Sequence, residues 1–339
     1  MSEESNISRP PTPLEKTCDV GFRALTYIFA WLTVLLVLYI VLKIGYAAVP
    51  AMKEYGWGFM AGRTWDPNKE QYGILPQIWG TLYSSFLALL VGTVLGGAVA
   101  VFLSERFLSS AVFRLLSVFG IEFHPFWGKL PDRLELLLKN LVELLAAIPS
   151  VVYGLWGIFV IIPMIRPPCN WLHENLGWIP LFRTSLSGPG MLPAALVLGI
   201  MILPTISAIG RDALAGVPRK LRDAAYGLGA TRWETLLGVI IPSSMTGLFG
   251  AVILAFGRAL GETMALAMLV GSSNQMSWSL FSPANTLAAL LATNFREAGP
   301  KQIPLLMYAA LVLMGITLLV NVLGSLMLQR ASKSLGESR

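Results

Sequence analysis

Residues 211–242 read RDALAGVPRKLRDAAYGLGATRWETLLGVIIP, a charged stretch that ends as an apolar run begins. Pro218 suits a helix start, because its ring presets φ and its missing N–H has no partner to find there. The following LRDAAYGLG reads as a short helix closed by Gly227 or Gly229, since glycine tolerates the left-handed turn that ends many helices. Thr231 then stands three residues before Glu234, the spacing of a capping box, so a second helix starts at TRWETLLGVIIP. Two short helices joined at glycine make a projecting knob. Such a shape fits a groove on another protein.

On both sides of the knob the chain is apolar for longer than a membrane is thick. A spanning helix needs about 20 mostly apolar residues. Six runs qualify, at roughly 24–49, 77–103, 141–165, 191–210, 244–271 and 303–328. Of the 339 residues 55% are hydrophobic and 13% charged, and the mean hydropathy is +0.66. That composition cannot cover a soluble surface with polar groups. The expected fold is all-α and polytopic, with six transmembrane helices. The first run follows the polar stretch MSEESNISRPPTPLEKTCD and lacks a small-residue cleavage site, so it reads as an uncleaved span.

The net charge of +6 has a topological explanation. With the N-terminus inside, sixteen of the 25 Lys and Arg fall in inner segments and seven in outer loops, with Lys43 and Arg258 inside spans. Positive charge inside places both termini in the cytoplasm, and no nucleic acid is needed to account for it. Cys18 and Cys169 then lie on opposite faces and cannot pair within one chain. His124 and His173 are likewise separated, and no cluster has metal-ligand spacing, so no metal site is expected.

The segments divide as a tail over 1–23, a first helix and outer loop over 24–76, a transmembrane body over 77–328 containing the inner loop at about 211–243, and a tail over 329–339. The outer stretch YGWGFMAGRTWDPNKEQYGILPQIWGTL is either an interfacial aromatic belt or a docking surface. Gly92, Gly96, Gly97 and Ala100 have the small-residue spacing that lets membrane helices approach closely. The mixed apolar and basic segment from Ser104 to Lys139 suits a helix or hairpin at the cytoplasmic interface. Lys139 and Glu143 are set for an i,i+4 ion pair, and Pro149 for a kink in the third span.

Arg258 and Glu262 fall in LAFGRALGETMALAMLVG, otherwise apolar or small. An arginine near the middle of a span costs roughly 2.5–3.5 kcal/mol on insertion scales, so it should face the bundle interior or a watery path. Four residues on, Glu262 shares its helix face. Arg before Glu is the weaker order for helix stability, so a role beyond the helix is indicated.

The knob resembles the cytoplasmic loop of permeases of ATP-binding-cassette importers. Their pattern is Glu-Ala-Ala, three residues, Gly, nine residues, then Ile-x-Leu-Pro. Asp223, Ala224, Ala225, Gly229, Val239, Ile240, Ile241 and Pro242 match it at intact spacing, with Asp, Val and Ile replacing Glu, Ile and Leu. WDPNKEQYGILPQIWGTL, ELLAAIPSVVYGLWG and GRALGETMA narrow the resemblance to phosphate-specific importers and their C-type subunit. A long inner insertion, about 108–133, departs from that pattern.

The resemblance implies the type I importer permease fold. It also implies a second homologous permease, a cytoplasmic ATP-binding subunit dimer and an extracytoplasmic phosphate-binding protein. Asp223, Ala224, Ala225, Gly229 and Pro242 would couple to the ATPase. A phosphate path would give Arg258 and Glu262 their use in the substrate pathway, Arg258 contacting phosphate transiently and Glu262 pairing with it when phosphate is absent; the other reading of the pair is a purely structural or gating salt bridge. No Gly-x-x-x-x-Gly-Lys-Ser/Thr loop occurs, so ATP and Mg belong to the partner and the chain is expected to bind no cofactor. A secondary transporter or channel for an anion would also explain the spans, though not the knob, and a related oxyanion would explain the arginine. Intramembrane proteolysis is disfavoured because the histidines and aspartates all lie outside the spans.

Overall fold

A computed structural model describes residues 12–105 and 130–336. Six helices within it are long and apolar enough to cross a membrane. The first, α1 (Pro13–Tyr55), has 43 residues, about 65 Å at helical rise. It begins at Pro13 because Thr12 and Glu15 form a reciprocal capping box, so residues 13–23 of the expected tail are helix. Its C-terminal end buries Ala48 and Ala51, while residues 13–43 are exposed throughout.

The outer aromatic stretch folds inward rather than lying as a belt. A one-turn helix (Gly58–Ala61) and a small antiparallel hairpin, β1 (Trp65–Asp66) with β2 (Gln71–Tyr72), cap this end of the bundle. Phe59 stacks on Tyr308 with centroids 4.9 Å apart, and Phe59, Trp65 and Ile74 join one hydrophobic cluster. Trp57 alone among these aromatics is nearly fully exposed, at 81%.

Helix α2 (Leu75–Ser104) packs along its length on the fourth span. A Cβ at Gly92 would stand 2.6 Å from Ile202, and one at Gly96 would stand 2.9 Å from Ile206. Ala100 is fully buried. The small-residue face is therefore real at three of its four positions. Gly97 lies off it, and a Cβ there would meet nothing within 4 Å.

Helix α3 (Leu130–Ala147) is separate from α4 (Ser150–Leu176), which is the third span. Pro149 adopts φ −59° and ψ 140° as the residue before α4, so it ends one helix and precedes another instead of kinking a continuous one. The expected boundaries 141–165 straddle that break. Lys139 and Glu143 do pair, at 3.8 Å. All but the last four residues of the insertion at about 108–133, together with His124 and most of the expected interfacial segment, lie outside the described residues.

The remaining elements are α5 (Met191–Ala215), α6 (Arg219–Gly227), α7 (Arg232–Leu260), α8 (Met264–Leu269), α9 (Leu287–Asn294) and α10 (Gln302–Gly336). Within α7, Leu236–Ile240 form a π turn. The main core gathers side chains of α2, α4, α5, α7 and α8, including Met201, Ile202, Ala255 and Leu266. Cys18 and Cys169 are both free thiols.

Candidate functional site: a coupling knob and a broken span

The knob is built as its residues dictate. Pro218 precedes α6, and its fixed φ of −55° turns the chain into the helix. At the other end the choice between two glycines is resolved by hydrogen bonding. Gly229 N–H donates to the Tyr226 carbonyl at 3.0 Å and Ala230 N–H to the Ala225 carbonyl at 3.1 Å. These are the two bonds of a Schellman motif, and they place Gly229 at φ +86°, where side chains are unfavourable. Gly227 remains inside the helix. The second helix starts on the expected capping box: Glu234 N–H donates to Thr231 Oγ1 at 3.4 Å, and Thr231 N–H to Glu234 Oε2 at 2.7 Å.

Beneath the knob, Leu214, Val217, Leu236 and Ile240 form a small buried cluster with Ala100. Ala225 turns inward, whereas Asp223, Ala224, Gly229 and Pro242 are exposed. So are Tyr226, Trp233 and, at 89%, Leu228. An exposed apolar tip framed by charge is the composition of a contact surface.

The second region is a break in the fifth span. The apolar run expected over 244–271 is divided: α7 ends at Leu260, and α8 starts only at Met264. Gly261 N–H donates to the Arg258 carbonyl and Glu262 N–H to the Ala259 carbonyl, tightening the last turn. The Thr263 hydroxyl donates to the Gly261 carbonyl at 3.1 Å. Past α8 the chain reverses through Gly271 and Ser272, both at positive φ. It is then pinned back by Ala284 N–H donating to the Val270 carbonyl at 2.8 Å.

Arg258 therefore lies in the last turn of α7, and Glu262 lies in the break, not one turn further on a common helix face. Among the described residues no ion pair joins the two. Arg258 Nη1 donates instead to Thr205 Oγ1 at 3.3 Å. Thr205 is near the midpoint of the 25-residue α5, which fixes the break at mid-depth in the bundle. Tyr153 of α4 is buried in the main core, and its hydroxyl donates to the Leu145 carbonyl at 2.8 Å across the Pro149 break.

Sequence reasoning found the arginine and missed Thr205. The signal for Thr205 was its place after Pro204 in an apolar run. A discontinuous helix at mid-depth exposes polar backbone, which is tolerated only where it lines protein or a watery cavity. Arg258 is exposed in the single chain. The arrangement offers a permanent cation with spare donors beside a break and a half-buried carboxylate.

Comparison with known proteins identifies the family. The sequence model of the family described as "Binding-protein-dependent transport system inner membrane component" matches residues 126–335. The phosphate transport system permease protein PstC of Haemophilus influenzae is 37% identical over 321 residues, 93% of this chain and 95% of that protein. Its namesake from Pasteurella multocida is 35% identical, covering 94% of each chain. Among solved structures, an inward-facing form of the MetNI methionine ABC transporter superposes with a TM-score of 0.51 at 17% identity. That match covers 76% of this chain and 95% of the other, and it bears on the fold alone.

Proposed function

From the premise that the chain belongs to the binding-protein-dependent transport system inner membrane component family, we propose that it conducts inorganic phosphate through an ATP-driven importer. Membership makes it a multi-pass permease subunit, with an ATPase and a substrate-binding protein as partners in general terms. The finer statements are the solute, the second permease and the roles of individual residues.

One observation carries the proposal: Arg258 is exposed at mid-depth on a broken helix. A guanidinium there cannot face hydrocarbon without a penalty of roughly 2.5–3.5 kcal/mol. A second permease enclosing that face would turn the exposed arginine into the wall of a path. Its planar donors match phosphate oxygens, and its charge persists at every physiological pH. Glu262 supplies the competing carboxylate. Its negative charge in the adjacent break repels the anion, so phosphate is held firmly enough to enter and weakly enough to leave.

At the inner face, α6 would seat in a groove of the ATPase dimer, with Asp223, Ala224 and Ala225 on the docking helix, Gly229 at its turn and Pro242 at the return to the membrane. Closure of the ATPase dimer pushes this knob, and α5 and α7 rotate because they are its direct continuations. Both termini and the knob then share the cytoplasmic side. ATP and Mg are used by the partner; this chain supplies the lever and the path.

The test is uptake of labelled phosphate by vesicles holding the complete complex, with ATP present or absent and sulfate as competitor. Arg258→Gln should lower uptake by roughly 10- to 100-fold, the scale of a lost charged hydrogen bond. Glu262→Gln should slow release and lower the maximal rate. Full recovery in the charge-swapped double variant would refute direct contact with phosphate. Uptake that continues without ATP would favour a secondary transporter.

A further inference from the structure

Arg222 precedes the motif and points the opposite way from its exposed residues. Its Nη1 donates to Glu105 Oε1 at 2.8 Å, and its Nη2 donates to the Leu214 carbonyl at 2.7 Å. The Glu105 side chain is 5% exposed and that of Arg222 is 20% exposed. Arg232, the first residue of α7, donates to the backbone carbonyl of the same Glu105. One residue at the end of α2 is thus gripped by the docking helix and by the start of α7, while the same arginine holds the end of α5.

The chemistry of this junction is informative. Glu105 is the residue directly after α2, where backbone carbonyls lack helical partners and cations are favoured. A carboxylate at the cytoplasmic rim has water close by, and burying it brings a desolvation penalty that only good geometry offsets. Lysine would neutralise the charge equally well, yet only the guanidinium fork reaches a carboxylate and a carbonyl together. Burial, bidentate reach and a third donor converge on one point. A surface ion pair holding a loop in place has no need of any of these.

The consequence concerns which helices the ATPase moves. Through the chain alone, the knob is continuous with α5 and α7 and has no covalent link to α2. Through Glu105 it acquires a non-covalent one. Helix α2 is also locked to α5 by close approach, since a Cβ at Gly199 would stand 3.0 Å from Val91. We propose that Glu105 is a positioning residue for transport: with Arg222 it clasps the docking helix to α2, so that the ATPase stroke drives α2 and α5 as one slab. The proposal rests on the importer function above and adds a third driven helix to it.

The experiment measures ATP hydrolysis and phosphate uptake side by side in vesicles containing the complete complex, stimulated by the binding protein. Uptake by the unaltered complex tests the importer function by itself, so its failure is distinguishable from failure of the clasp. With Glu105→Gln, hydrolysis should stay within about twofold while uptake falls about tenfold, raising the ATP used per phosphate. Arg222→Lys keeps the charge and loses the fork, so the ratio should rise by a smaller factor. Combining Glu105→Arg with Arg222→Glu should bring the ratio back toward the original. If Glu105→Gln does not assemble, the Arg222→Lys ratio decides. Hydrolysis and uptake falling in proportion, or a ratio that stays unchanged, would overturn the proposal.

Discussion

Replacing Gly229 by alanine isolates a single physical effect. The residue sits at φ +86°, and a methyl built on it meets nothing within 4 Å. Steric overlap with neighbours is therefore absent, and the whole penalty is backbone strain. For an L-residue in the left-handed region that strain is roughly 1–2 kcal/mol. Gly227, two residues earlier, is helical and equally open, so alanine there should gain roughly 0.8–1 kcal/mol of helix propensity. Two substitutions of the same kind in one loop should thus act in opposite directions.

The readout is amide exchange at Ala230, whose N–H donates to the Ala225 carbonyl and is freed when the motif opens. A strain of about 1–2 kcal/mol corresponds to roughly 5- to 30-fold faster exchange by the open route in Gly229→Ala. Gly227→Ala should exchange at the original rate or more slowly. Asparagine, which accepts the left-handed region better than alanine, should place Gly229→Asn between the two. Measured on the permease in detergent, the result does not depend on how the knob meets its ATPase. Unchanged exchange in Gly229→Ala, or faster exchange in Gly227→Ala than in Gly229→Ala, would refute the reasoning.

Two further outcomes follow from the outer half of the molecule. A Cβ at Gly80 would overlap the Asn285 carbonyl oxygen, next to the bond from Leu287 N–H to Thr81 Oγ1 at 2.9 Å. Gly80→Ala should therefore destabilise by roughly 1–3 kcal/mol, while Gly97→Ala is neutral or stabilising by up to about 1 kcal/mol; thermal unfolding in detergent compares them, and equal midpoints would refute the packing argument. Lys301 Nζ donates to Glu70 Oε1 at 2.9 Å, and that hydrogen bond, then the Glu70 charge, raise the lysine pKa above 10.5. Because the folded value is the higher one, the contribution is complete below about pH 10.5 and fades as pH climbs through the raised value. Limited proteolysis of the outer hairpin should be flat with pH until that range, and a change beginning near neutrality would assign the effect to another group.

Much of this architecture can be read from local chemistry. Six apolar runs give six spans, because crossing hydrocarbon demands length and composition that few other structures need. The capping box at Thr231 was legible for the same reason: both its bonds join residues three apart. The Gly261–Thr263 break was not, since Gly-Glu-Thr within an apolar run is compatible with a continued helix, and α8 packs against α4, α5 and α9, which lie elsewhere in the sequence. Pro149 gave the correct place and the wrong consequence, as a proline signals a kink and a terminus alike. The Glu105–Arg222 clasp spans 117 residues of sequence, and nothing near either residue announces the other.

The π turn at Leu236–Ile240 sets the aim of the knob. A π turn holds one residue more than the α-helix around it, so it amounts to an insertion wound into the helix instead of looped out. Each residue advances an α-helix by about 100°. Deleting the exposed Gly238 would restore regular winding and swing the docking helix about a quarter-turn around the axis of α7, with every contact inside the membrane unchanged. Under the proposed function, the ATPase would then push the same lever in a different compass direction. Chain length at this point is therefore a steering parameter, as consequential as the identity of any residue on the docking surface.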